Sequence, residues 1–546
     1  MRTRSRLVAM LVVLSAGTAA AQDEYRFDLV HDEKAGALSG RACIRYVNDS
    51  SRPLAELRFR LDPNLSQAGS LLVSAVRDEA GGEMAWKYAP QSFGELSSDK
   101  GVLAVELPEP LEAGAACPLE IVFRLAHPRA LAPELTVLQD DPYCSLDAWY
   151  PKAMSFGDAG WSFDDDRPSK YAVDLELNEK LVVASTGAAS KPQPAKDGRV
   201  KRGLRADRVR GFTIYASHSW KAHARETDSV AIRCLLAEKC EPWATRLLEA
   251  AEDAIAYYRE RYGEYPCKHL DIIALEEGSG AFAAVNVIGV FLGRGIEARY
   301  RWLVAHEVAH QYLGNLVDTP RREIYWVLIG LGMVMDRNYL IDRGYDHTFH
   351  SRMVGYYTTV RKQGRNTALS QPLEDILKAG SPWSFQWNLA LGHGKAYAVC
   401  SMLEDLLGKE LFEGVTKSLL AEHAGGMVTG RDLVAACQKA GAQDLSWFVK
   451  DWITGDATLD YAITAAERGE TGIVVEVTQV GSAAFPVVVE AKTASGKTLR
   501  ERLSRTLEVN RVTFPATEDV VEVVVGPGGI YPDLDPSNNR WPKPTR

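Results

Sequence analysis

The 546 residues are 46% hydrophobic and 25% charged, a balance that excludes disorder as the default state and gives enough apolar material for two to four domains. The formal net charge is −9, and setting aside an arginine-bearing leader leaves 60 basic against 72 acidic side chains, a net of −12. That sign argues against nucleic acid and anionic membrane surfaces as partners and leaves a peptide or protein ligand open.

In chain order, Arg2, Arg4 and Arg6 precede the apolar run Leu7–Leu14 and the small residues Ala19–Ala21, the pattern of a secretory signal over residues 1–21. The apolar run is short for a bilayer span, and no later segment approaches that length. The expectation is a periplasmic or secreted protein with no stable membrane insertion. Eight cysteines follow, from Cys43 to Cys437. An exporting compartment permits disulfides, four pairs can be drawn in 105 ways, and burial as small apolar side chains fits equally well.

From Tyr25 to about His223 the chain alternates in polarity, as in Arg41–Val47, Leu57–Leu61 and Tyr171–Leu177, which predicts an antiparallel β-domain. From about Cys240 the period becomes helical. Trp243–Tyr262, Arg301–Leu313, Ile324–Leu340 and Ala396–Leu407 read as helices, with a short buried strand at Leu270–Leu275. After Gly455 alternation returns at Gly472–Thr478, Phe485–Ala491 and Val520–Val525, predicting a small C-terminal β-sandwich.

Within the helix Arg301–Leu313, His306 and His310 stand four residues apart and so share one face. Two imidazoles on one face can hold a single zinc ion, and Glu307 beside the first can act as general base on water. The pattern sits in the apolar run Trp302–Ala305 and Tyr312–Leu313, and Gly314-Asn315 supplies a helix end. A buried histidine pair calls for a reason, and metal is the one that fits; the motif is of the kind that hydrolyses peptide bonds.

The run from His306 to Leu316, His-Glu-Val-Ala-His-Gln-Tyr-Leu-Gly-Asn-Leu, resembles the corresponding stretch of the M1 family metallopeptidases, the aminopeptidase-like gluzincins. Tyr25–Asn64, Asp147–Lys152, Tyr262–Pro266 and the closing Tyr531–Asn539 are similar to further landmarks of that family. The resemblance implies an α+β multidomain fold: an N-terminal antiparallel β-saddle domain (22–223), a thermolysin-like α/β domain with a helical extension (224–455) and a C-terminal β-sandwich (456–546). It also implies zinc held by His306 and His310, with Glu307 activating water.

Three positions depart from the pattern. The family's third ligand, a Glu nineteen residues after the second His, falls on Ile329, with Trp326 and Gly330 in register. The family's amine-binding Glu falls on Asn286 when Gly289 is the anchor, and on Val285 when the Asn is. The family's oxyanion-stabilising Tyr is replaced by His393, ahead of Gly394 and Lys395. His393 can donate to an oxyanion or serve as a metal ligand. Glu323 and Asp336 lie about two helical turns from Ile329 and are set aside as replacements. Glu276 and Glu277 read as a solvated loop, and His347 and His350 as surface residues. The expectation is an M1-like scaffold that binds peptide or protein, impaired in catalysis, with zinc weak or absent, in effect a pseudoenzyme. The alternative is an active zinc peptidase completed by His393 or water.

Overall fold

A computed structural model describes residues 22–93, 96–126, 135–138, 148–158, 160–162, 167–278, 280–372, 385–441 and 443–542. The expected signal segment 1–21, Cys144, Asp147 and Ser279 lie outside the described residues. The fold mixes many strands with many helices.

Strand Glu24–Asp32 alternates exposed and buried positions, so Tyr25, Phe27 and Leu29 point into one core. It pairs antiparallel with Ala37–Val47 through a short turn, and parallel with Ser169–Asn178. The expected all-antiparallel domain is thus corrected. The two parallel strands are joined by a long excursion rather than a hairpin, so nothing in the connection fixes them antiparallel. Tyr25 stacks on Tyr171 at 5.0 Å across that pair, an aromatic cross-strand contact that helps set the register.

Strand Trp220–Glu226 runs across the expected boundary at 223 and forms the edge of a second sheet. Its neighbours in order are Ala231–Ala237, His269–Leu275, Val287–Phe291 and Ala281–Ala284. His269–Leu275 pairs parallel on both sides and is buried along nearly its whole length, as a sheet covered on both faces requires.

Five helices carry the argument: α1 (Ala244–Tyr262), α2 (Tyr300–Tyr312), α3 (Gly330–Asp342), α4 (Thr348–Lys362) and α5 (Ala396–Leu407). The single helix expected over Ile324–Leu340 is corrected: Tyr325–Ile329 is a π-helical turn and α3 starts at Gly330. A Cβ on Gly330 would stand 2.8 Å from Cys400 Sγ and 2.9 Å from the Ala396 carbonyl oxygen. The chain passes directly against α5 there, and the Cys400 thiol donates to the Trp326 carbonyl at 3.2 Å inside the widened turn. A second π-helix, Phe385–Lys395, runs straight into α5. Such turns are rare and recur at functional sites.

After Tyr461 two sheets form, one of Tyr461–Gly469, Gly472–Gln479 and Val509–Pro515, the other of Thr498–Arg502, Val488–Thr493, Val520–Val525 and Arg540–Trp541. The strand expected from Phe485 starts instead at Val488; Pro486 has no N–H to give a ladder. The seven described cysteines are free thiols, five of them buried. Among the described residues no helix is long and apolar enough to cross a membrane.

Candidate metal centre

Every residue of α2 from Trp302 to Tyr312 is buried. A helix buried all round sits inside its domain, so each of its polar groups needs a partner in place of water. Tyr258 of α1 donates to the Ala305 carbonyl at 3.1 Å and fixes α2 against α1. His306, Glu307 and His310 are 4%, 5% and 7% exposed.

The hydrogen bonds of the two histidines decide which nitrogens carry protons. His306 Nδ1 lies 2.7 Å from Asp336 Oδ2, and His310 Nδ1 lies 3.2 Å from the Leu313 carbonyl oxygen. The chain leaves α2 at Leu313, extended and followed by Gly314 at φ +125°, which brings that carbonyl back toward His310. Both partners are acceptors, so both Nδ1 atoms donate and the two Nε2 atoms carry lone pairs. These Nε2 atoms face each other at 3.2 Å. Two lone pairs at that distance repel unless a proton or a cation lies between them. Two nitrogens bound at about 2.05 Å to one tetrahedral zinc stand about 3.3 Å apart. The donor set therefore fits zinc.

The remaining expected positions surround this pair unequally. Ile329 ends the π-helical turn, half-buried among apolar neighbours, and offers no donor. His393 is brought close: its ring centre lies 5.3 Å from that of His306, and its Nδ1 donates to the Asn388 carbonyl at 2.8 Å. Among the described residues no three His, Cys, Asp or Glu side chains already converge on one point as an ion requires. Asn286 occupies the turn between strands Ala281–Ala284 and Val287–Phe291 at φ +63°. Its N–H donates to Gln311 Oε1 at 2.9 Å and its amide to the Thr186 carbonyl at 2.7 Å. It borders a cavity of about 500 Å³ with Cys267, Lys268 and His269, while Val285 is packed into the apolar core.

Two residues change standing. Asp336, set aside as too distant to replace Ile329, does not replace it; it reaches the far nitrogen of His306 from α3. His350, expected at the surface with His347, is 1% exposed; of the two only His347 is exposed. His350 Nε2 lies 2.5 Å from Asp336 Oδ1, and its Nδ1 faces the His347 carbonyl at 3.2 Å. One buried carboxylate thus takes a bond from α2 and another from α4. A carboxylate behind a ligating imidazole fixes its tautomer and raises its basicity. Signals for both were present in the sequence. Asp336 is a lone carboxylate in the apolar run Met333–Met335, and a buried charge implies a partner. His350 shares a helical face with Met353, Val354 and Tyr357.

Electrostatics follow from this packing. Burial foremost, with the His306 ring adding to it, pushes His310 down to about 3 and His393 down to about 4. Burial pushes Glu307 up to about 7, partly offset by His306. Burial also disfavours charge on His306, but the bond to Asp336 and its charge outweigh burial and hold the ring above its usual value. For Asp336 burial raises the pKa, and the two imidazoles outweigh it and hold the carboxyl below its usual range.

A pH dependence follows for the metal-free protein. Between about pH 6.5 and 4.5 the unfolded chain protonates His310 and His393 while the folded chain does not, and the folded chain alone protonates Glu307. Unfolding then takes up a net proton from these groups, and stability falls by about 1.4 kcal/mol per unit as pH drops across that window. His306 works above it: its stabilisation is complete below its usual value and is lost as pH rises through the raised one. Denaturant titrations across pH measure the slope, and a His310→Phe/His393→Phe variant, in which Glu307 alone of the three still titrates, is expected to reverse its sign.

In α2 two facing histidines, a neighbouring carboxylate and a carboxylate-held imidazole are thus brought together in a buried helix. Residues 246–452 match the peptidase family M1 domain. It is 25% identical over 225 residues to "Probable aminopeptidase 2" of Sulfurisphaera tokodaii, covering 38% of this chain and 28% of that protein. It is 22% identical over 303 residues to "Tricorn protease-interacting factor F2" of Thermoplasma acidophilum, covering 52% and 37%. It is 22% identical over 329 residues to "Aminopeptidase N" of Lactococcus lactis subsp. lactis, covering 56% and 38%. The matched stretch spans about a third of each relative's length.

Proposed function

We propose that this chain is an M1-type zinc peptidase scaffold that binds peptide or protein ligands and is impaired in ordinary aminopeptidase turnover. The observation that carries the reading is the pair of Nε2 atoms facing each other at 3.2 Å while the aliphatic Ile329 stands at the register of the third ligand. The proposed architecture is a saddle-like β-domain (22–223), a thermolysin-like domain with a helical extension (224–455) and a C-terminal β-sandwich (456–546), in an exported protein.

When bound, zinc supplies Lewis acidity toward a peptide carbonyl and lowers the pKa of water. The chain's own residues do the rest. His306 and His310 hold the ion, and Asp336 and the Leu313 carbonyl aim their rings. Glu307, whose buried carboxyl titrates near neutrality, takes up a proton on its carboxylate at the pH where it is needed. What weakens turnover is the donor set: Ile329 offers no ligand, Val285 and Asn286 offer no carboxylate for a substrate amine, and His393 replaces a phenol.

Metal analysis of protein purified without chelator tests the reading. Zinc is expected at no more than one per chain, lost in His306→Ala and His310→Ala. Zinc retained equally in both variants, or absent from the wild type after dialysis against it, overturns the reading.

A further inference from the structure

We propose that His393 is the third metal ligand, so that the centre is a three-imidazole site built from His306, His310 and His393. The inference rests on the metal-binding reading above and names the donor that completes it.

The three rings share one hydrogen-bond design. Their Nδ1 atoms face Asp336 Oδ2, the Leu313 carbonyl and the Asn388 carbonyl at 2.7, 3.2 and 2.8 Å. All three partners are acceptors, so each ring donates from Nδ1 and offers the lone pair of Nε2. A surface or oxyanion-donating histidine has no need of that arrangement; a ligand does.

The spacing agrees. An imidazole bound through Nε2 has its centre about 3.2 Å from the ion, and two such rings on a tetrahedral ion have centres about 5 Å apart. The His306 ring centre lies 4.7 Å from that of His310 and 5.3 Å from that of His393. The nitrogens do not converge on one point in the structure, and a three-imidazole centre requires His393 to close onto the pair.

The backbone directs His393 from the side Ile329 leaves without a donor. A Cβ on Gly392 would meet Tyr325 Cδ1 at 2.7 Å, so the π-helix carrying His393 lies directly against the π-helical turn that ends in Ile329. A Cβ on Gly394 would meet the Met353 carbonyl oxygen at 2.5 Å, which seats the other flank on α4. Two residues on, buried Lys395 donates to the Thr367 and Gly455 carbonyls at 2.6 and 3.1 Å and pins the end of the segment. One carboxylate lost at 329 is thus answered by one imidazole gained at 393. Neutral donors leave the ion its full double charge, and three histidines suit zinc, copper or nickel.

Zinc affinity is read by competition with a chromophoric chelator for wild type, His393→Ala, His393→Gln and His393→Ala/Ile329→Glu, with circular dichroism and thermal melts of the metal-free forms. His393→Ala and His393→Gln are expected to weaken zinc by roughly 100-fold or more with melts close to wild type, and Ile329→Glu to restore much of the loss. Cobalt-loaded wild type is expected to show the strong visible bands of a four-coordinate site, lost in either His393 variant. Unchanged affinity and spectrum in both His393 variants overturn this proposal and leave the His306–His310 reading standing. A wild type that binds no zinc overturns both.

Discussion

Asp336→Ala is expected to lower the stability of the metal-free protein by about 3–5 kcal/mol, the cost of breaking a buried pair from one side, and to abolish tight zinc binding. The size follows from the position. Asp336 is fully buried and accepts from His306 of α2 and His350 of α4, so one carboxylate joins three helices. Removing it leaves two imidazole N–H groups without an acceptor in a dry interior. It also frees the tautomer of His306, so Nε2 is no longer the only nitrogen that can present a lone pair. Asp336→Asn separates the two effects. An amide keeps the volume and one acceptor oxygen but turns N–H groups toward one of the two donors, so zinc affinity is expected to fall about 10–100-fold with a smaller loss of stability. Melting curves and zinc competition measure both. A metal-free Asp336→Ala protein that melts with wild type would contradict the bonded geometry.

In a His393→Ala background, Ile329→Glu is expected to raise zinc affinity by on the order of 100-fold, the inverse of a lost ligand, and with His393 in place the gain is expected to be smaller. Ile329 ends the π-helical turn and is half-buried, so a longer polar side chain there displaces aliphatic contact rather than a bonded group. The metal-free variant is expected to be less stable by about 1–3 kcal/mol, because the new carboxylate gives up water without a partner. Aminopeptidase turnover is expected to stay low, since the new Glu supplies neither an amine-binding carboxylate nor the phenol that His393 replaces. No gain in zinc affinity would mean that Ile329 does not face the histidine pair.

Much of the fold was legible because its signals are local. Apolar periodicity places Ala396–Leu407 as a helix with the limits observed, and alternation places Val520–Val525 as a strand with the limits observed. What escaped depends on partners far along the chain. The parallel pairing of Glu24–Asp32 with Ser169–Asn178 has no local signature, because side-chain alternation is the same in both strand directions. The break at Gly330 is set by Cys400 and Ala396 on another helix. The candidate site divides the same way. His306, Glu307 and His310 share one helical turn and announce themselves by spacing. Asp336 and His350 lie 30 and 44 residues beyond His306, and only packing of α3 and α4 against α2 joins them. The exposed His347 beside it gives the stretch around His350 a polar look, although the helical face His350 shares is apolar.

Chelator-sensitive hydrolysis of an aminoacyl reporter by zinc-saturated wild type tests the central claim most directly. The donor set predicts that zinc loads onto the protein while turnover stays at the level of the chelated control. Zinc-dependent turnover at the 1–1000 per second of working enzymes, abolished by chelator and restored by zinc, would contradict it.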